Sequence, residues 1–219
     1  MQKFIQDAVE FLPILFQGVK LTILVTLGSL ALSTALGLLW ALMRVSGVRI
    51  LDMIARTFIN FIRGVPIIVQ LFYIYFVLPE MGIALSALNA AIIGLGFAYS
   101  AYQAENFRAG IEAIDKGQLE AAQSIGMGWA MTMRRVVLPQ AFRIALPPYG
   151  NTMIMMLKDS SQASTITVAE LAMQGKLVAA STFKNATVFS LVAILYLVMC
   201  IPLFFAVNRM EKKFGSGHK

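Results

Sequence analysis

Lys158-Asp159-Ser160-Ser161 sets a cation, an anion and two hydroxyls on consecutive residues. Such a group can hold the carboxylate and the ammonium of a zwitterion, and its two charges can equally pair with each other. Other polar side chains also interrupt apolar sequence: Arg63 and Gln70, either side of Gly64 and Pro66, and Glu105, just ahead of Asn106 and Arg108. A charge at mid-bilayer costs about 2.5 to 3.5 kcal/mol on insertion scales, so each of these wants a reason. Arg63 can snorkel to an interface beside a proline kink. Glu105 can pair with Arg108 at i, i+3. A role in a polar path across a membrane stands beside these structural explanations.

Catalysis has less to work with. His218 lies in the carboxyl tail and Cys200 inside an apolar run, with no base or second metal ligand near either. Gly175-Lys176 is followed by Leu177, and no G-x-x-x-x-G-K-[ST] phosphate loop occurs. No catalytic residue, metal or cofactor is expected on this chain.

The surrounding elements follow from composition. The 219 residues are 58% hydrophobic and 13% charged, with a mean hydropathy of +0.75. Soluble domains carry roughly 25% charged residues, and a fold of this size buries only about 70% of its unfolded surface. The remaining apolar exterior needs lipid, which excludes a water-soluble enzyme. One cysteine excludes a disulfide scaffold.

Five runs approach the 20 or so residues that cross a bilayer: about Leu21 to Met43, Phe58 to Val77, Ala84 to Tyr102, Ile144 to Leu157 and Ala186 to Val207. Within the third, Gly94, Gly96, Ala98 and Ser100 form a stripe that lets another helix come close. No cleavable signal peptide is expected, because Met1 to Glu10 lacks an apolar core and a small-residue cleavage site. Most basic residues follow the first and third runs or end the chain, whereas Lys3, Lys20, Lys158, Lys176 and Lys184 fall on the other side. The positive-inside bias then puts the amino terminus outside and the carboxyl terminus in the cytosol. The net charge of +7 is accounted for by this topology, and no nucleic-acid partner is expected.

Residues 103–142 form the loop between the third and fourth runs. Gly117 can start a short helix with Glu120 in its first turn, Leu119, Ala122 and Ile125 share one side, and Gly126 can end it in the left-handed conformation. A second helix begins at Leu138-Pro139. Two turns of helix do not hold alone in water. Adsorption to headgroups would be feeble for so weakly apolar a segment, which leaves docking to a protein.

Glu120-Ala121-Ala122, Gly126, Val136 and Leu138-Pro139 resemble, at every spacing, the EAA loop of ABC-importer permeases, with Val136 where the pattern prefers isoleucine. Phe61-Ile62-Arg63-Gly64-Val65-Pro66, Gln70-Leu71-Phe72, Ala101-Tyr102 with Glu105 and Arg108, and Lys158-Asp159-Ser160-Ser161 extend the resemblance to the polar amino acid branch. Gln162 departs from it, standing where an aliphatic residue is more usual. The resemblance implies one all-α permease domain over residues 1–219, with about five transmembrane helices and a cytoplasmic coupling helix between the third and fourth. It implies the bacterial inner membrane as location. It further implies a second permease, identical or paralogous, an extracytoplasmic amino acid-binding protein, and ABC ATPase subunits that hold ATP and Mg. Gly117, Glu120, Ala121, Ala122, Gly126, Leu138 and Pro139 would couple to the ATPase. Arg63, Gln70, Glu105, Lys158, Asp159, Ser160 and Ser161 would line the substrate path. The alternative class is a secondary transporter or channel subunit, which should show inverted repeats; none is evident.

Overall fold

A computed structural model describes residues 2–214, which form helices joined by short turns with no strand among them. His218 lies outside the described residues. The first helix, α1 (Gln2–Arg44), has 43 residues and carries Pro13 inside it. At 1.5 Å per residue it measures about 64 Å, longer than the roughly 40 to 45 Å of a bilayer with its headgroups. The expected span opened only at Leu21. The helix starts at Gln2 because Phe11 and Leu15 are buried against Leu171, Val178, Leu191 and Leu195. Asp7 and Glu10 hide this from a count of apolar runs.

The expected span from Phe58 to Val77 is broken in two, as α2 (Arg49–Gly64) and α3 (Ile67–Phe72). Pro66 has no N–H for the helical ladder and drives Val65 into extended backbone, φ −105° and ψ 130°. A π turn and a 3-10 turn carry the chain on to Met81, and this second piece stands at 99° to α2. The Nε2 of Gln70 donates to the carbonyls of Ile62 at 2.9 Å and Val65 at 2.8 Å, which closes the corner.

The central helix is α4 (Ala87–Glu112), packed on α1, α2, α3 and the later α7. Its small residues permit the approach expected of them. A Cβ at Gly96 would stand 2.7 Å from Leu32 Cδ2 of α1, and one at Gly94 would stand 2.6 Å from Leu71 Cδ2. The helix runs past the expected end at Tyr102 and carries Glu105 and Arg108 on its last turns.

Next come α5 (Lys116–Ser124), α6 (Trp129–Thr132) and α7 (Leu138–Asp159). A π turn joins α6 to α7, and Pro139 sits in the first turn of α7, where a missing N–H leaves little unmet. This helix begins at Leu138, where the second helix was expected, takes in the apolar run from Ile144 and continues through Pro147-Pro148. The connection to the last helix contains α8 (Leu171–Thr182). Val168 lies before it, buried in the turn. α9 (Asn185–Phe214) ends the described chain.

Among the described residues, Phe4–Arg44 and Asn185–Phe214 are long and apolar enough to cross a membrane, and the bent pair raises the number to as many as three. α4 and α7 have 26 and 22 residues but carry polar side chains on the faces they turn to each other. Ile194, Leu197, Val198, Phe204 and Phe205 of α9 are exposed, the apolar exterior that the composition called for.

Candidate functional site

At one end of the bundle, where α1, α4 and α9 finish, α5 stands apart from the other helices. Its start is set by Asp115, whose Oδ1 accepts the Gly117 N–H at 2.6 Å. Glu120 is consequently in the second turn and not the first. Gly126 has φ +78°, the left-handed conformation expected of it. The Gly126 N–H donates to the Gln123 carbonyl at 2.9 Å and the Met127 N–H to the Ala122 carbonyl at 3.0 Å, the paired bonds of a Schellman end. Both termini of this nine-residue helix are thus satisfied locally.

Ala122 turns inward and is buried, whereas Gly117, Glu120 and Ala121 are exposed. Ile125 does not join Leu119 and Ala122 as expected: it is 78% exposed, because the helix ends at Ser124 and Ile125 already leaves its axis. A cavity of about 580 Å³ separates α5 from the bundle, lined by Val45, Ile111, Leu119, Met127, Trp129 and Val137 among others. Gln140 of α7 reaches across to Gln118 and to its own Val136 carbonyl. Leu138 and Pro139 are exposed at the entrance of α7.

Deeper in the same end, Glu105 accepts from Arg108 at 2.6 Å and from Arg44 at 3.1 Å, and Arg44 also holds Asp52 at 2.6 Å. Arg108 further pairs with Glu112. The i, i+3 pair foreseen for Glu105 is present, enlarged into a network that ties α1 and α2 to α4. Arg63 is exposed, with its guanidinium 5.5 Å from the Tyr102 ring centroid.

Toward the middle of α4 the polar groups face α7. Asn106 Nδ2 donates to Thr152 Oγ1 at 2.9 Å and to Gln103 Oε1 at 3.2 Å. Gln103 is fully buried, and its Nε2 has no partner among the described residues. Tyr99 donates its hydroxyl to Asp159 Oδ2 at 2.7 Å. Lys158 and Asp159 do not pair with each other, and Asp159 meets the middle of α4. Ser160 is buried with its hydroxyl on the Leu157 carbonyl, Ser161 is half-buried and Lys158 is exposed. The residues named from sequence thus fall into separate places. Arg63 and Glu105 lie at the α5 end, Lys158 to Ser161 lie higher, and Gln70 is occupied in the α2–α3 corner.

Glu170 was not foreseen. It is fully buried, caps α8 by accepting from the Ala172 and Met173 N–H groups at 2.8 Å each, and receives the Tyr196 hydroxyl of α9 at 2.8 Å. Thr22 of α1 closes the group from the other side, its Oγ1 accepting the Leu171 N–H at 3.1 Å and donating to Glu170 Oε2 at 3.5 Å. An acid inside Val168-Ala169-Glu170-Leu171-Ala172 was the available signal. At the far end of α8, Lys184 Nζ pairs with Asp7 at 2.7 Å. That bond, with Glu10 nearby, lifts the Lys184 ammonium above its ordinary pKa of 10.5.

Residues 33–216 match the family model of the binding-protein-dependent transport system inner membrane component. A probable amino-acid ABC transporter permease protein of Bacillus subtilis, YckA, is 40% identical over 208 residues, covering 95% of this chain and 92% of its own. The glutamine transport system permease protein GlnP of Escherichia coli K12 is 37% identical over 204 residues, covering 92% and 93%. A crystal structure of an amino acid ABC transporter with histidines superposes with a TM-score of 0.89 at 36% identity, over 95% of this chain and 97% of that one. An inward-facing MetNI methionine ABC transporter shares the fold, with a TM-score of 0.76 at 23% identity. The match of family model, relatives and fold over nearly the whole length leads to one conclusion: this chain belongs to the family of inner membrane components of binding-protein-dependent transport systems.

Proposed function

We propose that the chain is the permease subunit of an ABC importer for a polar amino acid. Its residues 1–219 form one permease domain, with the amino terminus outside, the carboxyl terminus in the cytosol and five crossings made by α1, the α2–α3 unit, α4, α7 and α9. Residues 103–142 are then cytoplasmic, and the family's ATP-hydrolysing subunit is a separate polypeptide. A gradient-driven carrier is not favoured, since the relatives are named as ABC permeases.

The observation that carries this reading is α5: a helix capped at both ends whose Glu120 and Ala121 face away from the body. A short helix finished by its own residues is a preformed plug for a groove on a partner. Gly117 and Gly126 shape its ends, Ala122 fastens it inward, and Leu138 and Pro139 fix where the following helix starts. ATP and Mg sit on that partner. The partner can favour one state of the permease only by gripping α5 differently in each.

For substrate, the Tyr99-held Asp159 offers a carboxylate oxygen to an ammonium group in the polar zone between α4 and α7, close to Ser160 and Ser161. A second permease chain completes the path, and an extracytoplasmic amino acid-binding protein delivers the cargo. Arg63, Glu105 and Lys158 supply charge along the way. Gln70 contributes through the corner it closes.

Gly126→Trp tests the coupling role. A Cβ at this position would meet nothing within 4 Å, but φ +78° is unfavourable for it by about 1 to 2 kcal/mol. The variant should insert in the membrane and lose ATP hydrolysis stimulated by the binding protein in the reconstituted complex. Full stimulation would remove α5 from this role.

A further inference from the structure

α2 carries three different stripes. At 3.6 residues per turn, Ala55, Ile59 and Ile62 fall on one side, packed toward α1 and α4. Arg49, Arg56 and Arg63, seven apart in sequence, fall on a second. Ile50, Ile54 and Phe61 fall on a third and are 64%, 47% and 67% exposed. The stripes are roughly a third of a turn apart. Arg44 to Asp52 and the stacking of Trp40 on Phe58, centroids 4.2 Å apart, fix which side faces the protein.

The 99° corner adds the orientation: a chain segment that enters the membrane after the corner leaves α2 along the surface. A surface helix beside a protein has three neighbours, which are the protein, the acyl layer and the headgroup water. The three stripes match them in turn. Charge decides the kind of lipid. Arg49 makes no ion pair among the described residues, and Arg56 shares Asp52 with Arg44, so Asp52 is the single acid in a stretch with three arginines.

We propose that α2 is an interfacial helix that binds anionic lipid headgroups through Arg49 and Arg56, with Ile50, Ile54 and Phe61 sunk among the acyl chains. The assignment rests on the membrane siting given above and adds the lipid class. Through Arg44, which holds both Asp52 and Glu105, the bound headgroups also steady the inner end of α4.

The test uses the complete transporter in nanodiscs of phosphatidylcholine with or without phosphatidylglycerol. Native mass spectrometry counts the lipids retained. Wild type should keep phosphatidylglycerol in preference, R49Q/R56Q should lose roughly fivefold in that preference for each arginine removed, and R49K/R56K should retain it. A bimane on Ile54→Cys, in a Cys200→Ala background, should be quenched by brominated acyl chains. Equal retention in wild type and R49Q/R56Q overturns the proposal. So does a label quenched by aqueous iodide alone, or one shielded from both quenchers, which would assign the face to a protein. Binding-protein-stimulated ATP hydrolysis in the same discs separates these failures from failure of the transport role.

Discussion

Tyr99 of α4 and Asp159 of α7, 60 residues apart in sequence, meet through a 2.7 Å hydrogen bond in which the tyrosine donates. Tyr99 is buried, so its hydroxyl needs a partner within the protein. Hydrogen bonds to charged groups contribute about 1.5 to 3 kcal/mol. Asp159→Asn should raise the transport KM for the amino acid by about tenfold or more, and Tyr99→Phe should raise it less. Uptake assays in proteoliposomes decide this, and an unaltered KM and maximal rate in Asp159→Asn would take the residue off the path.

Asp115 is outside the motif that marks the loop, yet it starts α5. Asp115→Ala should cost that helix about 1 kcal/mol and lower stimulated ATP hydrolysis severalfold without changing the unstimulated rate. Asp115→Ser, another cap, should recover most of the loss. A variant that hydrolyses ATP like wild type under stimulation would show that the partner can order α5 unaided.

The four hydrogen-bonding groups gathered by Glu170 join α1, α8 and α9. Glu170→Ala orphans buried donors, each at about 1 to 3 kcal/mol, and should lower the melting temperature in detergent by more than Tyr196→Phe does. An Ala variant that melts with wild type would mean that water replaces the carboxylate.

Phe183, 86% exposed with φ 58°, forms the tip between α8 and α9, held beside the Lys184–Asp7 pair. The pair raises the Lys184 pKa in the folded chain, so its stabilisation is complete below the ordinary lysine value and vanishes as pH climbs through the raised one. Proteinase K cleavage at Phe183 should be slow at pH 8 and accelerate above about 10.5. Asp7→Asn should be cut quickly at both. A rate independent of pH in wild type would rule out the anchor.

What the sequence made legible was mostly local. Gly126 could be read as left-handed because only neighbouring residues decide a helix end, and Pro139 marked a helix start for the same reason. The corner at Pro66 was half legible. Hydropathy counts apolar residues without regard to direction, so Phe58 to Val77 reads as one span although Val65 turns the chain. Glu170 was obscured because Thr22 stands 148 residues away and Tyr196 26 away. Asp159 was visible as a charge, but its height beside Tyr99 depends on how two long helices slide against each other.

The cavity under α5 leaves room for this helix to move. A segment packed flush against the bundle would transmit a push at once and return it just as stiffly; one with a hollow behind it has slack to take up first. Only a sustained push on α5 would close the hollow against Ile111 and Val137 and reach the long helices behind it.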